Sequence, residues 1–196
     1  MLKEKFHHNI NKLLDAITLL PQRFYTKIAV AVSGGVDSIA LLILLHNWAQ
    51  KQGIDITALT VNHHLRPQSK SEVEYVQKLS RELGIKCTVF SWNHENNFTN
   101  LQERARNGRY TLMTEYCRAN GIFHLATAHT MDDYIENFCI RQERKSSIFG
   151  LSSSNINFVN NVKIIRPLFD IAKQELITYL RSCNIKWFED ESNNSL

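Results

Sequence analysis

Apolar residues along the chain follow two alternating spacings. KIAVAV (27–32), IDITALTVNHH (54–64), IKCTVFSW (85–92), IFHLATAH (122–129) and VKIIRPLF (162–169) are short, β-branched and apolar, and they predict five strands. Between them the spacing lengthens to that of helices: SIALLILLHNWAQKQG (38–53), SKSEVEYVQKLSRELG (69–84), LQERARNGRYTLMTEYCRANG (101–121), TMDDYIENFCIRQ (130–142) and AKQELITYLRSCNIKWF (172–188), the last running into a short extended tail. The amphipathic start predicts an N-terminal helix within residues 1–25. Punctuation supports these bounds: Gly53 and Gly121 as helix ends, Ser69 with Glu72 as a capping box, Asn100 as a cap, and Pro167 closing the fifth strand. ERKSSIFGLSSSNINFVNN lacks a regular apolar spacing and predicts a long loop over 142–161.

Alternation of strand and helix predicts an α/β fold, a doubly wound and mainly parallel five-stranded sheet with helices on both faces. No internal repeat or linker divides the chain, so residues 1–196 are expected to form one domain. Composition changes this picture little. The chain is 43% hydrophobic and 21% charged, an ordinary globular makeup, and its net charge of +4 suits a polyanionic partner without requiring one. Cys87, Cys117, Cys139 and Cys183 form no C-x-x-C pair, which argues against a zinc knuckle, an iron–sulfur cluster or a dithiol redox centre. The start lacks the apolar core of a signal peptide, and no run reaches the roughly 18 apolar residues of a membrane span. The expectation is a cytoplasmic protein with no membrane partner; a homodimer is compatible with the chain.

The candidate chemistry lies where the first strand meets the first long helix, in Ser33-Gly34-Gly35-Val36-Asp37-Ser38. In a doubly wound sheet, ligands bind beyond the carboxyl ends of the strands, where a loop feeds a helix N-terminus. Gly34 and Gly35 let amide N–H groups approach phosphate oxygens, and the two serines add hydroxyl donors. The loop has neither the lysine of G-x-x-x-x-G-K-[ST] nor the spacing of G-x-G-x-x-G. Asp37 is a carboxylate beside the expected phosphates, which points to a Mg2+ ion between them. A plain tight turn followed by a helix-start acid accounts for the same residues without a ligand.

S-G-G-x-D-S after the first strand resembles the signature of the PP-loop, or N-type ATP pyrophosphatase, superfamily. Three further stretches resemble the tRNA(Ile)-lysidine synthase family: TVNHHLRPQSKSEVEYVQKLSRELGI with His63, His64 and Arg66, then NLQERARNGRYTLM, then ATAHTMDDYIENFCIR. IIRPLFDIAKQELITYL and WFEDESN follow in the family's order. The resemblance implies that ATP adenylates position 2 of the wobble cytidine in an isoleucine tRNA with a CAU anticodon. The ε-amine of free L-lysine then displaces AMP to give lysidine. It assigns ATP to Ser33, Gly34, Gly35, Val36, Asp37, Ser38 and His129, and Mg2+ to Asp37. Catalysis falls to Asp37, Arg106, Arg109, Asp133 and Glu136.

Residue types can be set against those demands. Arg106 and Arg109 are one helical turn apart and can aim together at nucleotide or RNA phosphates, or form a solvated face, the reading preferred for Arg104. Asp132, Asp133 and Glu136 can bind and deprotonate a lysine amine or help hold the metal, and they also suit an ordinary helix start. His129 can contact the nucleotide or serve structure alone. The chain departs from the family at Thr130, where a second histidine is usual, and at Ser146 and Ser147, which replace flexible glycine. It ends at EDESNNSL, where the family continues into tRNA-binding regions, so those regions are expected to be absent. Alternatives are another PP-loop adenylating enzyme acting on RNA or a small metabolite, or a noncatalytic nucleotide- or RNA-binding remnant.

Overall fold

The computed structural model describes residues 1–15, 26–62, 68–92, 101–130 and 156–189. Its elements are α1 (Leu2–Asp15), β1 (Lys27–Ala31), α2 (Val36–Gln52), β2 (Asp55–Asn62), α3 (Ser69–Glu82), β3 (Lys86–Ser91), α4 (Leu101–Ala119), β4 (His124–Ala126), β5 (Ile156–Val159), β6 (Val162–Ile165) and α5 (Lys173–Ser182). Six strands form one sheet in the order β3-β2-β1-β4-β6-β5. All neighbours are parallel except β5 and β6.

The central strands β1, β2, β4 and β6 bury both faces, and the alternation assigns them to two cores, while β3 and β5 at the sheet edges are more exposed. Ile28 and Val30 of β1 and Ala58 of β2 pack with α2, Val76 of α3, Phe6 and Ile10 of α1, and Leu176 and Leu180 of α5. Ala29, Leu59, Leu125 and Ile164 point the other way, against Met113 and Cys117 of α4. The α2 helix is apolar almost all round because it lies between the sheet and the outer helices α1 and α5. It ends as expected at Gly53, whose φ of 66° needs no Cβ.

Chain order reverses between β1 and β4, since β2 and β3 lie on one side of β1 and the later strands on the other. That reversal opens a crevice beyond the carboxyl ends of β1 and β4, the position ligands occupy in this class of sheet. Among the described residues, no helix is long and apolar enough to cross a membrane.

Two expectations fail. The loop assigned to 142–161 contains β5, which pairs with β6 as a two-residue hairpin, so the sheet has six strands rather than five. Asn160 and Asn161 take φ values of 49° and 63°, the left-handed pair that a type I′ turn requires and that asparagine tolerates. The signal was present in the sequence as INFV-NN-VKII, but the serine-rich stretch before it masked the alternation. The Ser69 capping box also differs. Gln68 holds the cap position without a side-chain cap bond, and Ser69 is already the first residue of α3.

Candidate active site

The main chain leaves β1 with Val32 N–H still bonded to the Leu59 carbonyl, 2.9 Å, and then turns through Ser33–Ser38 into α2. The Ser38 hydroxyl organises this turn. Its oxygen accepts the Ser33 N–H at 3.1 Å and the Gly34 N–H at 3.2 Å, donates to the Gly35 carbonyl at 3.0 Å, and lies 3.2 Å from Ser33 Oγ. Two backbone amides thus converge on the Ser38 hydroxyl at the positive end of α2, which takes both donors.

The two glycines differ. Gly34 has φ of 99°, and a Cβ there would stand 3.4 Å from Glu72 Cβ of α3. Gly35 has φ of −73°, an ordinary extended residue at the cap of α2, and a Cβ would meet nothing nearer than Ser33 Oγ at 3.8 Å. Conformation therefore demands glycine at 34 and leaves 35 permissive. Val36 buries its side chain in the core, so only its backbone faces the loop.

Asp37 lies in the first turn of α2, half-buried, with Oδ1 shielded from solvent. The Asp37 carboxylate and the Ser33 and Ser38 hydroxyls of the same loop offer hard oxygen donors, which fit Mg2+ shared with phosphate oxygens. Among the described residues no group of three His, Cys, Asp or Glu side chains could hold a metal by itself.

Across the crevice, His129 follows β4. Its Nδ1 is 3.1 Å from Thr127 Oγ1, and its Nε2 is 3.4 Å from Arg106 Nη2. A guanidinium can only donate, so this pairing places the lone pair on Nε2 and the proton on Nδ1, where it reaches Thr127. Arg106 and Arg109 both flank the ring of Tyr110, with guanidinium carbons 5.4 and 5.9 Å from its centroid. They share one side of α4, as their spacing predicts; Arg104 and Arg106 are exposed and Arg109 is half-buried. Burial lowers the Arg109 pKa, Tyr110 raises it and the neighbouring Arg106 charge lowers it. The guanidinium stays charged at neutral pH.

Sequence reasoning missed three contributors. Tyr110 supplies the surface that aligns the two arginines. Thr127 orients His129. Phe188 meets the phosphate loop through its backbone, which no side-chain pattern could signal. Asp132, Asp133, Glu136, His63, His64, Arg66, Ser146 and Ser147 lie outside the described residues.

The PP-loop domain family ATP_bind_3 matches residues 2–196. The tRNA(Ile)-lysidine synthases of Rickettsia bellii and Rickettsia akari are 57% and 58% identical to the chain over 195 residues, which is 100% of this chain and 44% of each relative. The chain therefore spans less than half the length of these relatives. Among solved structures, a tRNA thiolase from Methanococcus maripaludis superposes with a TM-score of 0.77 at 19% identity, covering 95% of this chain and 65% of the thiolase. The FMN adenylyltransferase of Candida glabrata gives 0.53 at 11% identity, covering 91% and 57%. These two likenesses establish the fold alone. The loop geometry, the order reversal beside it and the match over almost the whole chain lead to one assignment: the chain belongs to the ATP-binding PP-loop domain family.

Proposed function

We propose that the chain is the catalytic domain of a tRNA(Ile)-lysidine synthase. It would use ATP to activate position 2 of the wobble cytidine in an isoleucine tRNA with a CAU anticodon and transfer free L-lysine to it. The observation that carries the reading is identity above half, across the whole chain, to relatives bearing that name. The Ser33–Ser38 loop agrees with it, because it lies beyond the carboxyl end of β1 at the N-terminus of α2, where an ATP phosphate would be held.

In this reading the loop binds the phosphates of ATP, and Asp37 would hold a Mg2+ ion, which would supply positive charge to the pyrophosphate leaving group. Arg106 and Arg109, kept in line by Tyr110, face the nucleotide or the RNA backbone with two fixed cations. His129 presents a neutral imidazole towards the same region. Asp133 and Glu136 receive the lysine amine, one carboxylate pairing with the ammonium and the other taking its proton before attack on the activated carbon. The C–N bond forms as the bond from that carbon to the AMP oxygen breaks.

The order of events is the test. ATP, Mg2+ and the tRNA together should release pyrophosphate without lysine, and AMP should appear when lysine is added. Pyrophosphate release with lysine in place of tRNA would put activation on the amino acid and overturn the assignment.

A further inference from the structure

The segment after α5 returns to the phosphate loop. The Phe188 N–H donates to the Gly34 carbonyl at 3.0 Å, and Phe188 forms an isolated parallel bridge with Gly35. The far side of this segment is held by α3. The Tyr75 hydroxyl donates to the Lys186 carbonyl, and the Tyr75 ring meets Phe188 edge-on at 5.7 Å and 68°. Glu72, one turn earlier on α3, closes over Gly34. Loop, returning segment and α3 therefore interlock around the Gly34–Gly35 peptide.

That peptide is the one in the loop most in need of support. It joins two glycines, and a peptide between residues without Cβ atoms rotates through orientations that other residues forbid. In a trans peptide the carbonyl and the following N–H point in opposite directions, and the described residues contain no cis peptide. Holding the Gly34 carbonyl towards Phe188 therefore directs the Gly35 N–H away from the returning segment. A flip would present a carbonyl oxygen where a donor is required, and an anionic phosphate would be repelled.

We infer that Tyr75 and residues 186–188 are positioning elements for nucleotide binding: they lock the Gly34–Gly35 peptide so that the Gly35 N–H is available to an ATP phosphate. Neither side chain touches the nucleotide in this account. The inference rests on the nucleotide reading above and adds a dependence of ATP affinity on a segment remote in sequence. It also makes the phosphate loop sensitive to whatever displaces residues 186–188.

Proline at 188 removes the donor itself, whereas leucine keeps it. Binding of ATP with Mg2+ and of adenosine, which has no phosphate, is measured for the protein and its variants. Phe188→Pro should weaken ATP by about ten-fold or more with adenosine affinity kept, while Phe188→Leu retains both, as expected for loss of one oriented backbone bond. Tyr75→Phe, which keeps the ring and loses the hydroxyl, should weaken ATP by roughly three-fold with the same selectivity. A folded Phe188→Pro protein that binds ATP normally, or loses ATP and adenosine equally, overturns the inference. If Phe188→Pro does not fold, the ATP-to-adenosine ratio of Tyr75→Phe decides by the same criterion. Failure of the unaltered protein to bind ATP would instead overturn the nucleotide reading.

Discussion

The two walls of the crevice are built by different means. On one side, the Ser33–Ser38 loop is backbone architecture, with amides gathered on one hydroxyl and a glycine in a conformation other residues avoid. On the other, the site is made of side chains: Arg106 and Arg109 lie against the Tyr110 ring, Arg106 meets His129, and Thr127 bonds His129. A backbone wall is fixed before any ligand arrives and is sensitive to single atoms added to the chain. A side-chain wall tolerates change in shape and responds to loss of charge.

The largest expected effect falls on the backbone wall's single charge. Asp37→Ala should lower pyrophosphate release by about a hundred-fold or more, because charge on the departing phosphates loses its metal partner, and leave the melting temperature unaltered. Unchanged release would show that the carboxylate does not hold the metal.

The two adjacent glycines then separate conformation from mere space. Gly34→Ala must adopt a φ of 99° against Glu72 and should destabilise the fold by about 1–3 kcal/mol while impairing ATP binding. Gly35→Ala, extended and uncrowded, should stay within about 0.5 kcal/mol of the parent in chemical denaturation. Equal sensitivity at both positions would contradict the conformational account of the loop.

The side-chain wall should respond to charge and geometry instead. Arg106→Ala is expected to slow lysine transfer by roughly ten- to a hundred-fold, with partial recovery in Arg106→Lys, since lysine restores charge but not the planar fork. Steady-state rates at saturating ATP would show it, and full activity in Arg106→Ala would remove this wall from the mechanism.

A buried histidine at the opposite end of β4 provides a contrast outside the crevice. His124 is 2% exposed, and burial, with Lys163 nearby, pushes its pKa down from 6.5 to about 4. Below 6.5 the unfolded chain takes up a proton that the folded chain refuses, so His124 reduces stability as pH falls through that window, by roughly 1.4 kcal/mol per unit. Denaturation midpoints between pH 4 and 7 should show this slope, and His124→Gln should flatten it.

A modest effect belongs to the β5–β6 turn. Asn161→Ala should destabilise the protein by about 1 kcal/mol, and Asn161→Gly should be nearly neutral, because φ there is 63°. ATP binding should change in neither variant, which would mark the hairpin as structural.

This contrast also explains what the chain discloses in advance. The phosphate loop is contiguous, so S-G-G-V-D-S can be read directly, and the strand–helix alternation around it already specifies a doubly wound sheet. The opposite wall joins residues from α4 and from beyond β4, and only packing shows that Arg106 meets His129. Helical spacing placed Arg106 and Arg109 on one face but could not reveal that Tyr110 lies between them. Phe188 was invisible for a different reason: its contact with Gly34 is made by the main chain, which every residue but proline carries. β5 was hidden by its serine- and asparagine-rich approach, although its asparagine pair is a hairpin signal.

The most direct test follows the lysine itself. The protein is incubated with ATP, Mg2+, labelled L-lysine and the isoleucine tRNA bearing the CAU anticodon, and the RNA is digested to nucleosides. The account predicts label at the wobble cytidine, dependent on ATP and lost in Asp37→Ala. Absence of label from protein shown to bind both ATP and the tRNA would contradict it.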